Sequence, residues 1–112
     1  NTISNLTPLS TITSLKRLDL ENSWIINVSP LSTLIDLETL NLSGNAIVDI
    51  SNLVTLNKLV FLNISNTSIV EIGTFAWAIW LQQLLMAWTS VSDLSTISSL
   101  PNLTHLDLSN KL

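Results

Sequence analysis

The apolar residues of this chain recur at a fixed interval. Leu15, Leu37, Leu59, Leu81 and Leu103 stand 22 residues apart, as do Leu18, Leu40, Leu62, Leu84 and Leu106. Leu20, Leu42, Ile64, Met86 and Leu108 follow in step, then Ile25, Ile47, Ile69 and Val91, then Val28, Ile50, Ile72 and Leu94. Each unit closes on Leu31, Leu53, Phe75 and Ile97, and on Leu34, Leu56, Ala78 and Leu100, where Ala78 is the weak match. The N-terminal Ile3, Leu6, Leu9 and Ile12 fit the same register as the tail of an earlier unit. The period therefore divides one domain into a partial repeat 1–14, repeats 15–36, 37–58, 59–80 and 81–102, and a partial repeat 103–112.

Two spacings alternate inside each unit. Leu18 and Leu20, like Leu40 and Leu42, are separated by single polar residues, which is the period of a strand. The run Ile47, Ile50, Leu53, Leu56 advances in threes, which suits a bend and a 3₁₀ or short α segment. One unit buries too few side chains to offset the entropy of ordering its backbone. Neighbouring units must stack, share their apolar faces and pair their strands in parallel. The expected product is an α/β solenoid with a parallel sheet on its concave side and short 3₁₀ or helical segments on its convex side.

The segment Leu37-Glu-Thr-Leu-Asn-Leu-Ser-Gly-Asn-Ala-Ile47 resembles the leucine-rich-repeat pattern L-x-x-L-x-L-x-x-N-x-I. The 22-residue period, the Ile-Val-Asp-Ile-Ser phrase at 47–51, and Thr-Pro-Leu at 7–9 with Ser-Pro-Leu at 29–31 are similar to bacterial internalin repeats. The resemblance covers essentially the whole chain and implies a right-handed leucine-rich-repeat superhelix. It also implies a bacterial surface or secreted adhesion role, which the residues themselves do not encode. The family's buried Asn, which bonds loop backbone between coils, is matched only by Asn45; Ser23, Thr67 and Thr89 hold the other places. No end caps are recognisable. The chain begins within a repeat and stops at Lys111-Leu112 inside the pattern, which reads as a fragment of a longer array or a trimmed or engineered form.

Composition narrows the function classes. The net charge is −4 with only four Lys and Arg, of which Lys16 and Arg17 alone are adjacent, so phosphate neutralisation is unsupported and nucleic acid is set aside. There are no cysteines, which excludes disulfides and thiolate metal sites. The longest apolar run, Phe75 to Leu81, is far shorter than the roughly 20 residues of a membrane span. His105 has only Asp107 beside it, too few ligands for a metal. No Ser–His–Asp set, glycine-rich phosphate loop or HExxH motif is present. The expectation is a chain without catalytic residues, metal or cofactor. The six Asn-x-Ser/Thr sequons are attributed to the richness in Asn, Ser and Thr.

If the leucines point inward, the alternate strand residues face the concave side. The candidate partner-binding residues are Arg17, Asp19, Thr39, Asn41, Val60, Phe61, Asn63, Gln83, Leu85, Ala87, Trp88 and His105. Val60, Phe61, Leu85, Ala87 and Trp88 are expected to cluster there, because large apolar groups on a polar strand face suit an anchoring patch; the alternative is strand side chains packing on each other. Trp24 and Trp88 are expected to rim the ascending edge. Trp77 and Trp80 fall on the convex return. Either one ring fills the volume missing at Ala78, or the two form a second contact surface, or they are engineered substitutions. Two functions follow: a scaffold that binds a protein on the concave face, or a structural or engineered solenoid that self-associates through uncapped ends or through Trp77 and Trp80.

Overall fold

The computed structural model describes residues 5–72, 78–95, 97 and 100–109. Five three-residue strands, β1 (Arg17–Asp19), β2 (Thr39–Asn41), β3 (Phe61–Asn63), β4 (Gln83–Leu85) and β5 (His105–Asp107), form one sheet in sequence order. All four pairings are parallel, and each matches residues 22 apart: Leu18 with Leu40, Leu40 with Leu62, Leu62 with Leu84, Leu84 with Leu106. The sequence period is thus the sheet register. A shift of one residue would turn every leucine out to solvent, so burial fixes the pairing.

Among the described residues, three 3₁₀ turns, Thr7–Thr11, Ser29–Thr33 and Ser51–Thr55, stack on the opposite side. Their three-residue apolar step is the hydrogen-bond step as well. Leu31 N–H donates to Val28 O, Leu34 N–H to Leu31 O and Leu37 N–H to Leu34 O, at 2.9–3.0 Å. Side chains at i and i+3 eclipse in a 3₁₀ turn, so these leucines all fall on the inner side. Pro8 and Pro30 occupy the first turn, where a missing N–H costs nothing. Just upstream, Asn5, Asn27 and Asp49 accept the N–H of Thr7, Ser29 and Ser51 on their side-chain oxygens.

The core is a column of aliphatic residues between sheet and turns. Leu40, Leu62 and Leu84 have no exposure, and neither do Leu37, Leu59 and Leu81. Covering weakens toward the outer coils: Leu18 is half-buried and Leu106 is 38% exposed. Ala78 is fully buried in a place that holds leucine in its neighbours. Trp80 is 57% exposed and does not fill that place, and Trp77 lies outside the described residues.

Asn45 joins two coils. Its Oδ1 accepts the N–H of Ser23 at 3.0 Å and of Ile25 at 2.9 Å. Its Nδ2 donates to Leu20 O at 2.9 Å and Leu42 O at 2.8 Å. Thr67 and Thr89, at the same place in later coils, donate only to the carbonyls of Ile64 and Met86 in their own coil. The shorter side chain keeps the local bond and loses the one between coils.

Candidate protein-binding face

The parallel register lays the outward strand residues in two rows across the sheet. One row is Arg17, Thr39, Phe61, Gln83, His105; the other is Asp19, Asn41, Asn63, Leu85, Asp107. Adjacent members are about 4.8 Å apart, the spacing of paired strands. Phe61 and Leu85 therefore sit on neighbouring strands, one in each row, and both are half-buried rather than sunk into the core. Val60, at the entry to β3, is half-buried too. Over β1–β3 lies a shallow concavity of about 370 Å³ lined by Arg17, Leu18, Asp19, Thr39, Asn41 and Phe61.

The second row has a structural duty. Asp19, Asn41, Asn63 and Asp107 each accept, through Oδ1, the N–H two residues on, from Glu21, Ser43, Ser65 and Ser109. These Asx turns end each strand. The Ser109 N–H, helped by its side chain and by nearby His105, holds the Asp107 carboxyl below the usual carboxylate range. Apolar periodicity does not report this cap ladder; its signal is an Asp or Asn at a strand's last position, followed two residues later by Ser in every case but Asp19, where Glu21 follows. Leu85 interrupts it. With no side-chain oxygen there, Ala87 N–H donates instead to Ser65 Oγ of the preceding coil, at 3.1 Å.

The turn after each strand also repeats. Asn22, Gly44, Asn66 and Trp88, 22 apart, all have positive φ: 54°, 73°, 54° and 59°. Asn and Gly tolerate this left-handed conformation, whereas an aromatic residue is held there against its preference. Trp24 adopts φ 62° as well, at a place where Ala46, Ser68 and Ser90 do not. Trp24 and Trp88 are 72% and 49% exposed on the loops leaving β1 and β4.

The candidate residues divide accordingly. Thr39, Asn41, Phe61, Asn63 and Leu85 lie together on β2–β4, half-buried; Arg17, Asp19, Gln83 and His105 are exposed around them. Ala87 is only 8% exposed and contributes backbone more than side chain. On the convex return Trp80 is exposed beside Ile79, whereas the matching places in the two preceding coils carry the Asp36–Lys58 ion pair at 2.8 Å. Among the described residues, no three His, Asp or Glu side chains are grouped to hold a metal, and no helix is long and apolar enough to cross a membrane.

Residues 35–77 match the family model for leucine-rich repeats in two copies. No curated protein matches the sequence. Among solved structures, an internalin, InlF, from Listeria monocytogenes is 33% identical with a TM-score of 0.95 over 99% of this chain and 33% of its own. Internalin C2 from the same organism is 33% identical with a TM-score of 0.94, covering 97% of this chain and 48% of its own. A leucine-rich-repeat protein of Leptospira interrogans is 25% identical with a TM-score of 0.86, covering all of this chain and 30% of its own. The chain thus spans between about a third and a half of the length of these two internalins. With its 22-residue period, its in-register parallel sheet and this likeness in three-dimensional course, the chain has the leucine-rich-repeat solenoid fold, and its repeats resemble those of bacterial internalins.

Proposed function

We propose that this chain is a protein-binding scaffold that engages its partner on the concave face of the sheet. One observation carries the reading: Phe61 and Leu85 stand on neighbouring strands of a face whose other strand residues are polar or charged. Apolar anchors ringed by Asn41, Asn63, Gln83 and Thr39 match the composition of binding hot spots, where a few large groups supply most of the energy. The likeness to internalins supports a surface or secreted adhesion role for the protein that carries these coils.

The test is differential retention. Wild-type chain, Phe61→Ser, Leu85→Asp and a convex control, Val54→Ser, are immobilised in parallel against host and bacterial extracts. The expected result is a protein held by wild type and control and released by both concave variants, all four giving the same circular dichroism. Equal retention by all four refutes the concave face. A second reading, self-association through the convex return, is favoured by the exposure of Ile79 and Trp80 side by side. It predicts a sedimentation mass that rises with concentration and that Trp80→Lys returns to monomer.

A further inference from the structure

The coil at residues 81–102 departs from the repeat twice. At the end of its strand, the position that carries Asp19, Asn41, Asn63 and Asp107 in the other coils holds Leu85, and the Asx cap is gone. Ser65 Oγ takes over the orphaned Ala87 N–H. Three residues later, the left-handed position held elsewhere by Asn22, Gly44 and Asn66 carries Trp88. Each exchange swaps a residue suited to the backbone for a large apolar side chain that faces solvent at least in part. Neither strengthens the core, since Leu84 and Met86 already fill it. Local rules broken without a gain in packing mark positions held for another purpose.

The neighbours define what would fit. Leu85 lies between Asn63 and Asp107 in its row. Asp107 is held ionised by its bond from Ser109 N–H and, among the described residues, pairs with no Lys or Arg. A carboxylate beside an apolar anchor complements a cation beside an apolar side chain.

We infer that this coil sets partner specificity: Leu85, with Trp88 at the outlet of its strand, receives a large apolar side chain of the partner protein, next to a lysine or arginine that meets Asp107. The inference rests on the concave-face reading and adds the anchor's place and the partner's chemistry.

Leu85→Asn and Trp88→Asn restore the repeat's own residues, so each raises the Tm while weakening binding, a pairing of signs that a merely structural role does not produce. The probe is a phage-displayed library of random twelve-residue peptides selected on the wild-type chain. Enriched peptides are expected to carry Leu, Phe or Trp within two residues of Lys or Arg. They should bind Leu85→Asn and Asp107→Asn at least tenfold more weakly, the latter with a reduced salt dependence. Peptides that bind both variants as they bind wild type, yet are lost on Phe61→Ser, overturn the inference and leave the concave face standing. Peptides indifferent to all three variants, or no enrichment at all, overturn both. An acidic consensus overturns the assignment to Asp107.

Discussion

Replacing Asn45 by Ala removes one buried side chain and its hydrogen bonds to backbone groups of two coils. The N–H groups of Ser23 and Ile25 lose their acceptor, and the carbonyls of Leu20 and Leu42 lose a donor. Asn45 is 4% exposed, so water does not readily replace it. A buried polar group left unpaired costs about 1–3 kcal/mol, and amides suffer more than carbonyls, which keep a second lone pair. Counting the two N–H groups in full and allowing one trapped water, the loss comes to about 3–5 kcal/mol, a large part of the stability of a domain of this size. Asn45→Thr should cost less, because Thr67 and Thr89 show that threonine keeps the bond to the carbonyl three residues back. Thr67→Asn should do the opposite. It offers an acceptor to the N–H groups of Asn45 and Ile47, which match those of Ser23 and Ile25, and should stabilise by about 1–2 kcal/mol. Equilibrium urea unfolding followed by far-ultraviolet circular dichroism reads all three. Asn45→Ala indistinguishable from the exposed control Asn52→Ala would refute the bridging role.

Gly44 has φ 73°, and a Cβ there would meet the side-chain oxygen and Cγ of Asn22, so Gly44→Ala should cost about 1–2 kcal/mol in urea unfolding, less in an Asn22→Gly background. Leu62→Ala, at the centre of the column, should cost about 2–5 kcal/mol by the same assay. Asp49 and Asp93 are held below the usual carboxylate range first by the N–H of Ser51 and Ser95, and Asp107 by that of Ser109. A depressed folded pKa gives stability that is present above the unfolded value of 3.8 and lost as pH falls through and below it. The urea midpoint should therefore drop between pH 5 and pH 3, as an order-of-magnitude window about the reference carboxylate value, and the drop should shrink in Asp49→Asn combined with Asp93→Asn.

The spacing of Leu18, Leu40, Leu62, Leu84 and Leu106 carried the architecture down to residue-by-residue strand pairing, because burial of one face leaves a single register. The step of three from Ile47 to Leu56 likewise anticipated the 3₁₀ turn at Ser51–Thr55. Apolar periodicity reports which face is inside and little else. It did not show the Asx caps, which depend on where a strand ends, or that Ala87 would be covered while its neighbour Trp88 stayed exposed. The left-handed turns at Asn22, Gly44 and Asn66 are foreshadowed by residue type; at Trp88 they are not, because the sheet imposes the conformation against the side chain.

Methyl-labelled nuclear magnetic resonance offers the most direct check that coils wind so that successive residues of one strand look opposite ways. With a soluble paramagnetic agent, the Leu85 methyls should broaden while those of Leu84 remain sharp and show Overhauser contacts to Leu62. Leu84 bleached, Leu85 protected, or no contact between Leu62 and Leu84 would contradict the winding itself.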